Sequence, residues 1–178
     1  MRKIVAGLHI SLDGVVEAPE KWSFAYASAE VGQAIGARIA AADAMLLGRV
    51  TYQTFADAFS GADNPMASGM NNVAKFVVSR TLESADWQNS TLISGNLVEE
   101  ITSLKARPGK NINVSGSTTL VRWLLAEGLL DELALFVCPI VLGSGQRLFD
   151  SAGGQVPLKL VGSEAFSTGV LHLTYQPA

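Results

Sequence analysis

Cysteine is nearly absent from this chain of 178 residues, which contains only Cys138. No internal disulfide can form, and the composition fits a reducing compartment. The chain also has no apolar run near the roughly 20 residues that a membrane-spanning helix needs, and no signal-peptide pattern surrounds Asp13. We therefore expect a cytoplasmic protein that does not bind membranes.

Basic charge and metal-ligand clusters are scarce as well. The net charge of −3 argues against general nucleic-acid binding, because such proteins usually carry a basic face. His9 and His172 lie far apart and have no partner at metal-ligand spacing, so we expect packed or hydrogen-bonded histidines and no metal. Neither a Walker-type phosphate loop nor a nucleophile elbow is present.

What the chain does contain is enough apolar sequence for one core. It is 48% hydrophobic, too apolar to be disordered, and its length suits a single domain over residues 1–178. Strand and helix patterns alternate along the first two-thirds, which predicts an α/β fold with a mostly parallel central sheet covered on both faces. The predicted strands are 3–10, 44–47, 75–79, 91–93, 111–115, 132–141 with a break at Pro139, and a C-terminal antiparallel hairpin of 157–166 and 170–176.

Two polar residues mark predicted helix starts. Ser28 is a candidate N-cap, and Asn96 with Glu99 three residues later resembles a capping box. Further helices are predicted after Gly48-Arg49 through Tyr52 and Phe55, over 66–72, and after the hydroxyl residues 117–119. The helix that follows Ser28 has these residues at inward spacing: Val31, Ala34, Ile35, Arg38 through its stem only, and Ile39.

Three loops that suit an anion follow predicted strands. One strand ends at Ser115-Gly116, and the hydroxyl residues at 117–119 then begin an amphipathic helix, whose N-terminus offers free N–H groups and positive dipole charge. Gly48-Arg49-Val50-Thr51-Tyr52 and Ser79-Arg80-Thr81 place guanidinium and hydroxyl groups where open α/β sheets bind ligands. Each loop alone could be an ordinary polar turn. Three on one edge predict a site for a dinucleotide with an extra phosphate.

Residues near the first strand are candidates for contact with a substrate. Asp13 precedes Gly14 and could point into a cleft, or it could accept hydrogen bonds within its own turn. Trp22 could stack on a planar substrate, or it could cover the edge of the core. The turn at 142–149 could line a pocket, form a subunit contact or be a plain surface loop. Cys138 lies in a predicted apolar strand, and we expect its thiol to be unreactive there.

Taken together and in order, the motifs resemble the dihydrofolate-reductase-like family. The closer resemblance is to the branch that contains the reductase domain of bifunctional riboflavin-biosynthesis proteins, the RibD C-terminal domain. The segments that carry it are Ser11-Leu12-Asp13-Gly14, Leu46-Leu47-Gly48-Arg49-Val50-Thr51-Tyr52, Phe76-Val77-Val78-Ser79-Arg80-Thr81-Leu82, Val114-Ser115-Gly116-Ser117-Thr118-Thr119-Leu120, Gly128-Leu129-Leu130-Asp131-Glu132-Leu133 and Pro139-Ile140-Val141-Leu142-Gly143.

The resemblance implies a three-layer sandwich that works as an NADPH-dependent reductase. The adenosine end of the cofactor, with its 2′-phosphate, would be held by Gly48, Arg49, Thr51, Ser79 and Arg80. The pyrophosphate would be held by Gly116, Ser117, Thr118 and Thr119, and the nicotinamide would lie near Ala6 and Gly7. Asp13 would face the substrate as the catalytic residue, the loop 14–22 would act as a lid, and a homodimer is expected because relatives in this family often pair.

The sequence departs from the family pattern at identifiable places. Dihydrofolate reductases carry an acidic residue on the first helix, where only Glu30 is near, and riboflavin-type reductases usually have an acid where this chain has Ser115. The metal-ligand motifs of the accompanying deaminase are also missing. Folate reduction is therefore not expected. The open alternatives are a reductase of a small heterocycle such as a 5-amino-6-(5-phosphoribosylamino)uracil-like pyrimidine, a pterin reductase, a non-catalytic NADP(H) sensor, and a structural dimer with a decayed nucleotide site.

Overall fold

One sheet of eight strands forms the centre of the molecule in a computed structural model that describes residues 1–151 and 153–178. Its spatial order is β4-β3-β2-β5-β1-β6-β8-β7. All pairs from β4 to β6 are parallel, and β8 and β7 continue the sheet in antiparallel pairing. The strands are β1 (Ile4–Ser11), β2 (Ala42–Gly48), β3 (Ala74–Val78), β4 (Ser90–Ile93), β5 (Asn111–Val114), β6 (Glu132–Cys138), β7 (Leu158–Ala165) and β8 (Leu171–Pro177). The mostly parallel sheet with a C-terminal antiparallel hairpin is thus confirmed.

Helices cover both faces of the sheet. They are α1 (Ala29–Ala40), α2 (Arg49–Phe59), α3 (Pro65–Asn72), α4 (Leu97–Ala106) and α5 (Thr118–Ala126), with short 3-10 turns at Pro19–Lys21 and Ser23–Tyr26. One apolar cluster joins α4 and α5 to alternate residues of β1 such as Ile4 and Leu8. Two smaller clusters join α1 and α2 to the opposite face, through Val31 and Tyr52. This three-layer arrangement removes both sheet faces from water, which is the main source of its stability.

The helix starts follow the sequence signals closely. Ser28 Oγ accepts a hydrogen bond from the amide of Val31 at 3.2 Å and so caps α1. Asn96 Oδ1 accepts from the amide of Glu99 at 3.5 Å. In a capping box the carboxylate of Glu99 would accept a hydrogen bond from the amide of Asn96. Here the neighbouring carboxylate does so for the preceding amide, since Gly95 N–H donates to Glu100 Oε1 at 3.0 Å.

The inward face of α1 is narrower than the sequence predicts. Val31 is buried and Ile35 is half-buried, but Ile39 is 56% exposed. The helix touches the sheet along positions 31, 35 and 38, spaced four and three apart, so the next residue projects into solvent. The sequence predicts that only the stem of Arg38 faces inward. In the structure the guanidinium itself faces the sheet, where it contacts Gly7 of β1 and Asn113 of β5.

The predicted end of the strand near Pro139 is confirmed, and the expected inertness of Cys138 stays a prediction that its burial supports. Strand β6 ends at Cys138, immediately before Pro139, and the Cys138 thiol is fully buried. Burial raises the pKa of this thiol, which disfavours the reactive thiolate. Among the described residues, no helix is long and apolar enough to cross a membrane, and no group of His, Cys, Asp and Glu side chains is placed to hold a metal ion.

Candidate active site

A cleft of about 670 Å³ lies beside β1 and at the carboxyl ends of β2 and β5. We call it the central cleft. Its walls come from residues 7–9 of β1, the loop 16–20, the inward side of α1, the first turns of α2, the loop 115–119 and Gln146. Its volume lies in the range typical of small-ligand sites. The carboxyl end of a parallel sheet is where α/β proteins bind ligands, and the cleft occupies that place.

A second cavity of about 320 Å³ lies on the other side of the loop 115–119. We call it the arginine groove because Arg49 and Arg80 both line it, together with Gly48 and Trp123. Ser117 and Thr119 line both cavities, so the glycine turn after β5 forms a shared wall. The structure therefore brings together the three loops that the sequence predicts to bind an anion.

Two glycines allow these loops to approach each other closely. A Cβ atom at Gly48 would lie 2.5 Å from Ser117 Oγ, and one at Gly116 would lie 2.8 Å from Thr51 Oγ1. Gly116 also has a φ of 144°, a conformation that residues with a side chain rarely adopt. The peptide bond from Gly116 to Ser117 is cis. The N-termini of α2 and α5 consequently meet at one point.

The meeting helix ends provide donors for an anion. Ser117 Oγ accepts from the amide of Leu120 at 3.3 Å, and the first backbone bond of α5 runs from Val121 to the Ser117 carbonyl at 3.0 Å. The amides of Thr118 and Thr119 precede these bonds, so they are left for a ligand. Helix α2 begins without a side-chain cap. Both helix dipoles therefore present positive charge to the shared wall.

The arginine groove adds full positive charges to these dipoles. Arg49 and Arg80 are exposed, and no carboxylate residue is among the described residues that line the groove. Arg49 Nη1 donates to Gln53 Oε1 at 3.2 Å, a neutral partner that leaves its charge available. Guanidinium groups bind phosphate oxygens in a fork geometry. The residues present therefore fit the phosphates of a dinucleotide.

Two of the predicted cofactor-binding residues line neither cavity. Ser79 Oγ accepts hydrogen bonds from the amides of Thr81 and Leu82 at 3.2 and 3.1 Å, so it closes its own turn. Ala6 points into the core shared with α4 and α5, while Gly7 beside it lines the central cleft. Their contact with a cofactor stays a prediction. The other predicted cofactor residues line one or both cavities: Gly48, Arg49, Thr51, Arg80, Gly116, Ser117, Thr118 and Thr119.

Asp13 is held by two loops rather than pointed into the central cleft. Its carboxylate accepts from Ser11 Oγ at 2.6 Å and from the amides of Leu142 and Gly143 at 3.1 and 2.8 Å. These three donors hold the pKa of the carboxyl far below its ordinary value, so it is ionised at neutral pH. Asp13 is not among the cleft-lining residues. The geometry favours the alternative in which it accepts hydrogen bonds at its own turn, and a catalytic role stays a prediction.

Trp22 and Glu30 also lie away from the central cleft. Trp22 packs beside Val31 in the cluster under α1, and its indole Nε1 donates to the Glu17 carbonyl at 3.0 Å. This is the position expected of a residue that covers the edge of the core. Glu30 Oε2 accepts from the amide and the hydroxyl of Ser167 in the turn before β8, the amide at 3.0 Å. Glu30 is therefore not placed to bind a pterin in the cleft.

The turn at 142–149 lines the central cleft through Gln146. It pairs with the start of the predicted lid: Val15 and Arg147 form an isolated antiparallel bridge, and the amide of Val16 donates to the Gln146 carbonyl at 2.9 Å. The base of the loop 14–22 is thus fixed by backbone bonds. Any lid movement is restricted to the part of this loop beyond Glu17, whose carboxylate accepts from the Gln146 amide at 2.8 Å.

The polar wall of the central cleft could not be recognised in the sequence. Arg38 Nη1 donates to Asn113 Oδ1 on β5, and the guanidinium lies against Gly7. His9 lies on the same face of β1 as Gly7, and its ring centroid is 5.3 Å from that of Phe136. Burial and the charge of Arg38 both lower the pKa of His9, so its imidazole is neutral at neutral pH. The available signal was the helical spacing that puts Arg38 on the inward face of α1.

Comparisons with known proteins agree with this fold. The family model of the RibD C-terminal domain matches residues 2–172. The uncharacterized protein YyaP of Bacillus subtilis is 28% identical, over 98% of this chain and 94% of its own length. The crystal structure of a Shewanella sp. PV-4 protein that has been linked to riboflavin biosynthesis superposes with a TM-score of 0.80 at 22% identity, covering 99% of both chains. Dihydrofolate reductase from Enterococcus faecalis, solved with NADP(H), gives a TM-score of 0.60 at 15% identity over 98% of this chain and 96% of its own.

Proposed function

This chain belongs to the RibD C-terminal domain family, and on that premise we propose that it is an NADPH-dependent reductase of a small heterocyclic substrate. The observation that carries the proposal is the shared wall: Ser117 and Thr119 separate a cavity lined by two arginines from a cleft large enough for a ring system. A dinucleotide that crosses this wall would place its two halves in different cavities. We include a cytoplasmic location and a homodimer in the proposal.

The chain's own residues would bind and orient the cofactor. Arg49 and Arg80 would contact the 2′-phosphate in the arginine groove, and the amides of Thr118 and Thr119 would contact the pyrophosphate. When bound, NADPH would supply a hydride to the carbon of a polarised C=N or C=O bond. The protein's part is to align the two reactants in the central cleft and to limit access of water.

Asp13 enters this proposal as a positioning residue. It joins the loop after β1 to the turn at 142–143, and Gln146 of the same turn lines the central cleft. Replacing Asp13 would therefore change the shape of the cleft wall without removing a proton donor. We therefore expect a pyrimidine like that of the riboflavin pathway to be a better substrate than a pterin. A pterin would need a carboxylate from α1 in the cleft, and Glu30 is instead bonded to Ser167 outside it.

Cofactor binding is tested by titrating the purified protein with NADPH and with NADH in a calorimeter. A charge-assisted hydrogen bond contributes about 1.5–3 kcal/mol, so Arg49→Ala or Arg80→Ala should weaken NADPH binding about 10- to 150-fold. Binding of NADH should change little, because it lacks the 2′-phosphate. Arg107→Ala, at an exposed arginine after α4, is the matched control. Equal NADPH affinity in all the variants, or no binding by the wild type, would refute the proposal.

A non-catalytic NADP(H) sensor is a second candidate. The observation in its favour is that the carboxylate of Asp13 accepts three hydrogen bonds, which lower its pKa and favour the ionised form over the protonated form that a general acid needs. Tight NADPH binding with no oxidation of NADPH across pyrimidines, pterins and quinones would support the sensor. Sustained turnover with any of them would exclude it.

A further inference from the structure

Arg38 is a charged group in the wall of the central cleft, and no carboxylate of the described residues forms an ion pair with it. The ion pairs within the described residues are Arg2–Asp43, Lys105–Asp131, Arg122–Asp150 and Arg147–Asp13. The partner of Arg38 is instead the neutral amide of Asn113. A guanidinium withdrawn from water without a counter-charge is unfavourable, and burial accordingly lowers the pKa of Arg38. The cleft wall therefore carries a positive charge that a ligand can neutralise.

Unpaired polar atoms are concentrated at the same place. In the described part of the chain, the buried side-chain polar atoms without a hydrogen-bond partner are His9 Nδ1, Arg38 Nε and Ser90 Oγ. The first two belong to residues that line the central cleft. Buried polar groups are nearly always paired in folded proteins, and unpaired ones call for an explanation. Two such groups beside one cleft mark its wall as a place where the fold leaves polar atoms without a protein partner.

The backbone holds this guanidinium in a defined position. Gly7 leaves the space that it occupies, because a Cβ atom there would overlap the Arg38 guanidinium. Asn113 fixes the other side from the neighbouring strand, since β5 pairs with β1. The carboxylates of Glu17 and Glu20 belong to the loop 16–20 of the cleft wall, where both residues are exposed. Glu17 is bound to the Gln146 amide. Within this site the positive charge is thus fixed at one wall.

We propose that Arg38 is the specificity-determining residue of the central cleft and selects a planar substrate that carries an anionic acceptor, a carboxylate or an ionised imide. His9 lies beside it as a neutral imidazole that can donate or accept one hydrogen bond to the same ring edge. A ring without an anionic acceptor, such as 2,4-diaminopyrimidine, whose amino donors flank its ring nitrogen, would place N–H groups against the donors of Arg38 and bind poorly. The inference rests on the proposed function in so far as the central cleft is the substrate cavity.

The test uses two small planar probes of opposite character, the barbiturate anion and 2,4-diaminopyrimidine, titrated into the full chain with and without NADPH. The wild type should bind barbiturate saturably and more tightly than 2,4-diaminopyrimidine. Arg38→Met, which keeps an apolar stem but removes the charge, should weaken barbiturate binding at least about tenfold. Arg38→Lys should recover part of the affinity, because it restores a charge without the fork geometry. Arg107→Ala should bind as the wild type does.

Several outcomes would overturn the inference. They are barbiturate binding unchanged in Arg38→Met, absence of saturable barbiturate binding by the wild type, and preference of the wild type for 2,4-diaminopyrimidine. If Arg38→Met unfolds, Gly7→Ala replaces it: the added methyl group displaces the guanidinium, so barbiturate binding should again fall, and unchanged binding would count against the inference.

Cofactor titrations separate this inference from the proposed function. NADPH should still bind Arg38→Met saturably, because the residues proposed to hold its phosphates lie at the shared wall and in the arginine groove, away from Arg38. A wild-type protein that binds barbiturate but not NADPH would refute the proposed function and leave the assignment of Arg38 standing. A wild-type protein that binds NADPH but not barbiturate would refute the assignment of Arg38 and leave the proposed function standing.

Discussion

Gly48→Ala is the substitution that most directly tests how the cofactor edge is built. The φ and ψ of Gly48 are −75° and 161°, which any residue can adopt, so the backbone does not oppose the change. The opposition is steric, because the new Cβ would lie 2.5 Å from Ser117 Oγ and 3.1 Å from Ser117 Cβ. Rotating the hydroxyl away relieves only the first contact. It also breaks the cap on the amide of Leu120.

The magnitude follows from these two costs. Inserting a methyl group into a packed contact costs about 1–3 kcal/mol, and losing an N-cap costs about 1 kcal/mol. We therefore expect Gly48→Ala to lower the free energy of unfolding by about 2–4 kcal/mol and to weaken NADPH binding. Ser117→Gly removes both clashing atoms, and glycine at an N-cap costs only a few tenths of a kcal/mol. The double variant should then be nearly as stable as Ser117→Gly alone.

Urea denaturation of the wild type, the two single variants and the double variant measures this coupling directly. The matched control is Gly61→Ala, because a Cβ at Gly61 would meet nothing within 4 Å. That control should change the free energy of unfolding by less than about 0.5 kcal/mol. Wild-type stability of Gly48→Ala, or a double variant no more stable than Gly48→Ala, would refute the interlocked arrangement of the two helix starts.

Two further predictions concern residues that hold the surrounding structure. Lys75 is fully buried under α3, where its Nζ donates to the carbonyls of Met70, Asn71 and Val73 at 2.8, 3.3 and 2.8 Å and lies 4.3 Å from the Trp87 ring centre. Lys75→Met leaves those carbonyls without a donor and should lower the free energy of unfolding by about 2–4 kcal/mol in urea denaturation; a loss below about 1 kcal/mol would contradict this reading. The lowered pKa of Asp13 means that its charge stabilises the fold above the unfolded pKa of about 3.9, an effect that is lost as pH falls through the folded pKa. The difference in stability between the wild type and Asp13→Asn should therefore be largest near pH 7 and shrink below about pH 4, whereas Asp57→Asn, at an exposed aspartate, should show no such trend.

The fold could be predicted from the sequence because its signals are local. Apolar runs of the right length marked the strands, and Ser28 and Asn96 marked helix starts that the structure confirms. The spatial order of the strands was not accessible in this way, since it depends on pairing between distant segments. The spacing of α1 also left open how far its inward face extends, and only contact with the sheet shows that it stops before Ile39.

The candidate site shows the same limit more sharply. Ser79 comes directly after β3 and Ser117 three residues after the end of β5, yet only Ser117 lines the cavities. The difference is that the chain after Ser79 folds back and donates two amides to its hydroxyl, whereas the chain after Ser117 continues as a helix whose first amides stay open. A hydroxyl at the end of a strand thus indicates a possible anion site, and the next few backbone dihedral angles decide whether it becomes one.

The surroundings of Asp13 and Arg38 could not be read from the sequence for one physical reason. Each side chain bonds to a partner far along the chain: Leu142 lies 129 residues from Asp13, and Asn113 lies 75 residues from Arg38. A carboxylate before glycine attracts attention because the local motif is visible, and an arginine on an apolar helix face is dismissed because its stem explains its position. In the folded chain the carboxylate is saturated with donors, while the arginine has only a neutral amide. The group left with unsatisfied charge, rather than the group with the recognisable motif, is therefore the one available to a ligand.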